Sequence, residues 1–518
     1  MAEAILSVVL DQLNSFIRNE VEQEVRLVVG VREELNNLHT HLTLIKAVLE
    51  DAEKKEIHDN AIKVWLGQLK DVMYDAEDVL DEWNTRILIS ANGPHVANRV
   101  RSYLLSLHKI RHLTVDDVEN PSIYEAKKLR TLLVGKISGW VPSALHQLTC
   151  LRTLDLSGSY EKNGDLEVLP SEVSRLFHLR YLDLSHNTRL KELPETVRSL
   201  VNLQTLKLNW CTSLCKLPEG IGELSNLRHL EVEDTGDLEY YPRGGIERLS
   251  QLRTLSKFVV SDGSSKGSVI GELGNLNFLK GSLDITGLKH VKSVNEAKHA
   301  ELQKKKNISK LSLYFEYKRD IGHVSSEEEI RRMEGVLENL EPHKESLERL
   351  EILNYVGSTL PTWMRMMSNI TYLLLYYCPN LKVEPHYLFP PRLETLKLWF
   401  DVGVLSKSLM SLTHNNNLKT LIIFKSPHSS LPQGLNQLTS LQQLSFLGCE
   451  SLDFKPEELK PLTMLRKLYI LGCPIITRER SREDWSILTH IPTIKIDDEN
   501  VKTQVLRAAR LFTQFLTS

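Results

Sequence analysis

Apolar residues along the chain follow a helical period first and a different one afterwards. From residue 3 to about 90 they recur at i, i+3, i+4 and i+7. A first run holds Ile5, Val8, Val9, Leu13, Phe16 and Ile17, and a longer one holds Val25, Val28, Leu35, Leu38, Leu42, Ile45, Val48 and Leu49. After a break at His58-Asp59-Asn60 comes a third, with Ile62, Trp65, Leu66, Leu69, Val72, Met73, Ala76, Val79 and Leu80. This spacing predicts amphipathic helices, the third N-capped by Asp59 or Asn60. No proline precedes Pro94, so nothing interrupts long helices here. The expectation is an antiparallel bundle of three to four helices.

From about residue 104 the pattern becomes a ladder. Leu151/Leu154/Leu156, Leu179/Leu182/Leu184, Leu203/Leu206/Leu208, Leu227/Leu230/Val232 and Leu252/Leu255 begin 28, 24, 24 and 25 residues apart. Earlier rungs are Ile110/Leu113/Val115 and Leu129/Leu132/Val134. Later ones are Leu347/Leu350/Ile352, Ile370/Leu373/Leu375, Leu393/Leu396/Leu398, Leu418/Leu421/Ile423, Leu441/Leu444/Phe446 and Leu465/Leu468/Ile470. This is the leucine-rich-repeat signature, in which each repeat buries its leucines against its neighbours. Composition agrees, since 89 of the 518 residues are leucine.

The predicted fold class is therefore α plus an α/β solenoid: an N-terminal antiparallel helical bundle followed by a leucine-rich-repeat horseshoe. The expected domains are a bundle over 1–90, a linker over 91–103, repeats over 104–496 and a C-terminal helix over 497–518. Val501–Leu516 carries that helix and is expected to cap the last hydrophobic face. Leu169-Pro170, Leu193-Pro194, Leu217-Pro218, Leu360-Pro361 and Leu431-Pro432 mark the return segments. Residues 256–346 read as less regular, with helical excursions at Glu296–Lys306 and Glu327–Glu341.

Four of the six cysteines fit the ladder. Cys211, Cys378, Cys449 and Cys473 each stand three residues after the second strand leucine, in the slot Asn187 fills in its own repeat. That slot faces the core and bonds neighbouring backbone, which predicts structural thiols. No C-x-x-C pair occurs, which argues against a disulfide scaffold or zinc module.

The formal net charge of −3 conceals a split. Residues 1–83 hold 18 acids against 8 bases, a net of −10, and the other 435 hold 56 bases against 49 acids, a net of +7. Opposite signs on two parts of one chain favour their attraction. A nucleic-acid-coating protein is not expected. No apolar run reaches the roughly 18 residues of a membrane span, and Met1-Ala2-Glu3-Ala4-Ile5 lacks the basic start of a secretory signal. The expected location is cytoplasmic, with nuclear or peripheral membrane association left open.

The segment from Tyr74 to Trp83 places five carboxylates in eight residues, while Ala76, Val79, Leu80 and Trp83 share one stripe. In its wider context, Val64-Trp65-Leu66-Gly67-Gln68-Leu69-Lys70-Asp71-Val72-Met73-Tyr74-Asp75-Ala76-Glu77-Asp78-Val79-Leu80-Asp81 resembles the N-terminal Rx-type domain of plant coiled-coil nucleotide-binding leucine-rich-repeat disease-resistance proteins. Glu77-Asp78-Val79-Leu80-Asp81 matches their acidic motif, with Leu80 at the isoleucine position. The resemblance implies an intracellular defence protein. Its implied partners are a pathogen effector or a guarded host protein, and full-length relatives of the same receptor family.

It also implies an ATPase domain, with ADP and ATP as switching ligands, between bundle and repeats. Here only about a dozen residues, Ser90 to Tyr103, stand there. No G-x-x-x-x-G-K-[ST] occurs; the nearest fragment, Gly135-Lys136, lacks the upstream glycine and is read as lying inside a repeat strand. A P-loop needs its glycines so that backbone N–H groups can wrap phosphates. The expectation is a chain with no nucleotide cofactor and no metal. It carries no G-x-S-x-G, H-E-x-x-H or kinase set either, so no enzyme is expected.

Two candidate surfaces lie in the repeats. Arg152, Arg180, Arg228 and Arg253 each follow the first leucine of their repeat, with Gln204 interrupting. Stacking aligns them on one edge at about 5 Å per strand. The family resemblance implies that Glu77, Asp78 and Asp81 dock on that edge. Secondly, Tyr376-Tyr377, Trp399-Phe400 and Phe424 place aromatics just after consecutive strands, an expected partner-binding surface unless half of each pair tucks into the core. Alternatives to an immune receptor are a decoy or regulator of full-length relatives, a non-immune leucine-rich-repeat scaffold or adaptor, and a fragment of an ATP-switched receptor.

Overall fold

The computed structural model describes residues 111–497 apart from 117, 119, 136–140, 159–165, 263–265, 317–325, 385 and 480–484. The chain divides into compact units at 1–105 and 106–518, and every described residue belongs to the second. The expected bundle, its acidic segment and the tail over 498–518 lie outside the described residues.

Two parallel sheets contain the described strands. The first comprises β1 (His112–Val115), β2 (Thr131–Val134), β3 (Thr153–Asp155), β4 (Tyr181–Asp183), β5 (Thr205–Lys207), β6 (His229–Glu231) and β7 (Thr254–Leu255). The second comprises β8 (Lys257–Val259), β9 (Lys280–Thr286), β10 (Asn307–Tyr314), β11 (Arg349–Leu353), β12 (Tyr372–Tyr376), β13 (Thr395–Trp399), β14 (Thr420–Phe424), β15 (Gln443–Leu447), β16 (Lys467–Leu471) and β17 (Thr493–Ile496). Strand order equals chain order in both, as a solenoid requires.

The repeat leucines fix the register. Leu154, Leu182, Leu206, Leu230 and Leu255 pair in succession, and so do Leu350, Leu373, Leu396, Leu421, Leu444 and Leu468. All are about 1% exposed or less, so each strand turns its leucines into one continuous core. A slip by one residue would turn all of them to the opposite face.

Several return segments are 3₁₀ turns opened by proline. Pro170, Pro194, Pro218 and Pro361 precede such turns in extended conformation, φ −63° to −70°. Proline suits that position because its ring presets φ and no N–H is needed there. Each turn closes when a residue after it donates its backbone N–H back, as Leu176 does to the Val173 carbonyl at 3.0 Å.

Residues 256–346 continue the ladder more regularly than their sequence suggests. β7 and β8 are two halves of one rung broken at Ser256. Lys280 of β9 donates to the Arg253 carbonyl at 2.8 Å, and Asp284 donates to that of Ser256 at 3.0 Å. Inserted helices lengthen the returns, and the pairing of β10 with β9 shifts register between Ile308 and Lys310. Helix α1 (Val294–Lys298) is N-capped by Ser293, and Glu301, at a left-handed φ of 48°, separates it from a 3₁₀ turn over Leu302–Lys304. Helix α2 (Glu327–Glu338), capped by Ser326, stops three residues short of the expected Glu341. A last short helix, α3, spans Pro474–Glu479. Gly135 lies just beyond β2 rather than inside it, because pairing with β1 ends at Val134.

The chain turns out of most rungs through one left-handed residue, two places after the second strand leucine. These are His186, Trp210, Asp234, Asn354, Tyr377, Phe400, Lys425, Gly448 and Gly472, with φ between 46° and 68°. Only the last two are glycines, so the turn is imposed by the stacked repeats rather than by local preference.

Asn187 donates to the carbonyls of Leu156 at 2.9 Å and Leu184 at 2.8 Å, fully buried. Cys211, Cys378, Cys449 and Cys473 stand in the same slot and direct Sγ at the carbonyls of Leu184, Ile352, Ile423 and Phe446, each the second strand leucine position of the preceding rung. Burial pushes the Cys211 and Cys378 thiols up to about 12. All four are structural thiols, as the ladder predicts.

Candidate functional site

The cationic edge forms, and it is longer than the sequence pattern alone suggested. Each member donates its backbone N–H to the carbonyl of the one before: Arg130 to Arg111, Arg152 to Arg130, Arg180 to Arg152, Gln204 to Arg180, Arg228 to Gln204, Arg253 to Arg228 and Lys280 to Arg253. These bonds span 2.6–2.8 Å. Eight consecutive rungs thus bring seven cations onto one border of the strands. The expected Arg152, Arg180, Arg228 and Arg253 are all in it, with Arg228 buried and the other three half-buried. Arg111, Arg130 and Lys280 were missed, although each follows the first apolar residue of its rung by the same rule.

The field of this edge is felt locally. His112 is held below its usual range by burial first, then by Arg130 and Arg111. Three residues further along the strands runs a second row of opposite sign, Asp155, Asp183 and Glu231, with Lys207 among them. Burial and then the Asp183 charge push the Asp155 carboxyl up. Tyr181 donates its hydroxyl to Asp183 at 2.9 Å, and Lys207 stands 3.6 Å from Glu231. The two rows make a charge-striped surface whose cationic stripe is the longer one, interrupted at Gln204.

Where the two sheets meet, Lys257 is buried and donates Nζ to the Thr235 carbonyl at 2.8 Å. Burial pushes its amine down to about 8, an effect partly offset by Asp284 and Asp234. Those carboxyls are themselves pushed up by burial, to about 6 and about 7. Among the described residues no group of three or more His, Cys, Asp and Glu is arranged to hold a metal ion.

The aromatic row also forms, but it is not the exposed surface expected. Tyr376, Trp399 and Phe424 are 1%, 8% and 2% exposed. Trp399 stands between the other two, its ring 6.3 Å from Tyr376 and 5.1 Å from Phe424. They follow the second strand leucines, so alternation turns them to the face opposite the leucine core. There they join Leu353, Leu374, Leu447 and Leu471 in one buried apolar layer. Of the five predicted aromatics only Tyr377, 36% exposed, and the half-buried Phe400 retain substantial solvent contact. Their left-handed backbone carries them out of the alternation. Glu77, Asp78 and Asp81 lie outside the described residues.

The repeats and the segment before them both match known families. Residues 5–109 match the family described as Rx N-terminal domain, and residues 128–378 match the one described as Leucine-rich repeat region. The chain joins an Rx N-terminal domain to leucine-rich repeats. Its homologues are plant disease resistance proteins. RGA1 of Solanum bulbocastanum, named a disease resistance protein, is 46% identical over 264 residues, 51% of this chain and 25% of the relative. Disease resistance protein RGA2 of the same organism is 36% identical over 182 residues, 34% of this chain and 18% of that protein. Disease resistance protein RPP13 of Arabidopsis thaliana is 32% identical over 87 residues, 17% of this chain and 10% of that one. The matches to these relatives thus span a quarter or less of their length. Among solved structures, a leucine-rich-repeat protein of Leptospira interrogans aligns with a TM-score of 0.44 at 21% identity, covering 76% of this chain and 97% of that one. No helix among the described residues is long and apolar enough to cross a membrane.

Proposed function

We propose that this chain serves plant disease resistance as a protein-recognition molecule, with no nucleotide switch and no catalytic step of its own. Its repeats engage a pathogen effector or a guarded host protein, in the cytoplasm. Glu77, Asp78 and Asp81 of the Rx N-terminal domain dock on the cationic edge and hold the domain on the repeats. The observation that supports this reading is the edge itself: seven cations in eight rungs, broken at Gln204, in a chain whose first 83 residues carry a net −10. The resistance role draws on the homologues' names. Only residues 110–127 separate the two matched regions, which leaves no room for an ATPase domain between them.

That junction also favours a second reading, in which the chain regulates full-length relatives by offering their partners the same two surfaces without the switch. Disrupting the gene in its plant and challenging with a panel of pathogens separates the two. Greater susceptibility supports the resistance role, greater resistance supports the regulator, and unchanged growth of every pathogen contradicts both.

A further inference from the structure

The core slot that Asn187 fills is taken along the second sheet by Tyr355, Cys378, Asp401, Ser426, Cys449 and Cys473, each three residues after the second apolar core residue of its strand. In the first sheet Cys211 stands between Asn187 and Thr235. Among the described residues, Cys449 and Cys473 are thus the one pair of cysteines in adjacent slots. Both are fully buried, and their backbones are in step. Leu447 of β15 pairs with Leu471 of β16, and the Gly448 N–H donates to the Leu471 carbonyl at 2.7 Å. The Cys449 Sγ lies 3.7 Å from the Leu447 carbonyl oxygen and the Cys473 Sγ 3.7 Å from that of Phe446, the residue before it, and the two thiols hydrogen-bond each other.

What precedes the thiols lets them approach. Gly448 and Gly472 are the two glycines in the row of left-handed turn residues, where other rungs carry Trp210, Tyr377, Phe400 or Lys425. A Cβ on Gly472 would stand 3.4 Å from the Gly448 α-carbon. The repeated Leu-Gly-Cys at 447–449 and 471–473 therefore leaves bare backbone beside both sulfurs. A disulfide needs α-carbons about 4.4–6.8 Å apart, and neighbouring parallel rungs are spaced at about 4.8 Å.

We propose that Cys449 and Cys473 form a reversible redox dithiol, which hydrogen peroxide converts to a disulfide tying β15 to β16. The S–H of Cys473 holds the Cys449 thiol below its usual range against the effect of burial, so the thiolate forms at Cys449. That thiolate attacks one peroxide oxygen, the O–O bond breaks, and the departing hydroxide takes up the proton Cys449 released, giving water and a sulfenic acid. The Cys473 sulfur then attacks the sulfenic sulfur. The S–S bond forms, the S–O bond breaks, and hydroxide leaves with the Cys473 proton as a second water. Two thiols are oxidised and one peroxide is reduced. Cys211 and Cys378 lack a sulfur in either adjacent slot and cannot complete this step.

The test uses the full chain with the exposed Cys150 and Cys215 changed to Ser, reduced and then treated with hydrogen peroxide. After alkylation and digestion without reductant, mass spectrometry should find the peptides of Cys449 and Cys473 joined with the loss of two hydrogens, and separate again after dithiothreitol. Cys449 and Cys473 left as thiols, carried to sulfinic or sulfonic acid, or joined to another cysteine overturn the proposal. Dimedone should trap a sulfenic acid at Cys449 in a Cys473→Ser chain and none at Cys473 in a Cys449→Ser chain; the reverse contradicts the order of steps. Hydrogen exchange across β15 and β16 should slow by about tenfold or more in the linked chain while β3 to β6 stay unchanged. Equal exchange at β15 and β16 in linked and reduced chains contradicts the tie.

Discussion

Asn187 reaches back across one rung to the carbonyl of Leu156, 2.9 Å away, while also holding the Leu184 carbonyl of its own strand. One buried amide thereby satisfies two backbone groups that water cannot reach. Asn187→Ala should lower stability by about 2 kcal/mol, since both carbonyls lose a donor and gain none. Urea unfolding of the full chain measures it. Cys378 fills the same slot with contacts of 3.6 and 3.9 Å, so Cys378→Ala should cost about half as much or less.

Burial sorts the six thiols into two classes. Cys150 and Cys215 are exposed, and the other four are enclosed in the ladder. Reaction with an aromatic disulfide reagent at mildly alkaline pH should titrate two thiols rapidly in the folded chain and six after denaturation. Rapid reaction of Cys211 or Cys378 would contradict the slot geometry.

Lys257 gives the repeats a pH signature. Its folded value of about 8 lies below the usual 10.5, so between those two pH values the unfolded chain holds a proton the folded one has released. Stability from this residue therefore rises as pH climbs from about 8 to about 10.5, by at most about 3 kcal/mol. Lys257→Met should flatten that rise in melts recorded across the window. Asp234 and Asp284 act with opposite slope at lower pH. Their folded values of about 7 and about 6 exceed the usual 3.8, so their contribution falls as pH rises through that range.

The ladder was legible because a leucine in every third or second place of a strand has one physical use, and the register of β3 to β7 follows from it directly. The cationic edge was half legible: reading four arginines from the most regular repeats overlooked Arg111, Arg130 and Lys280, whose rungs have irregular spacing. The continuity of β8 to β10 was hidden because inserted helices stretch the return segments between the strands. Exposure of Tyr376, Trp399 and Phe424 was misread for a different reason. Period-two alternation says which face a residue occupies, but burial on that face depends on how the side chains of adjacent rungs, Tyr376, Trp399 and Phe424 with Leu353, Leu374, Leu447 and Leu471, pack together. The slot role of the cysteines needed no such distant information and came directly from their spacing.

The docking of the acidic segment on the cationic edge is the central claim, and hydrogen exchange of residues 64–83 in the full chain tests it most directly. The claim predicts protection of that segment that weakens with added salt, because the pairs are only partly shielded from solvent. Protection should be lost when Arg152, Arg180, Arg228 and Arg253 are changed to Glu, and regained when Glu77, Asp78 and Asp81 are changed to Arg in the same chain. Equal exchange in the unaltered, reversed and doubly reversed chains would contradict it.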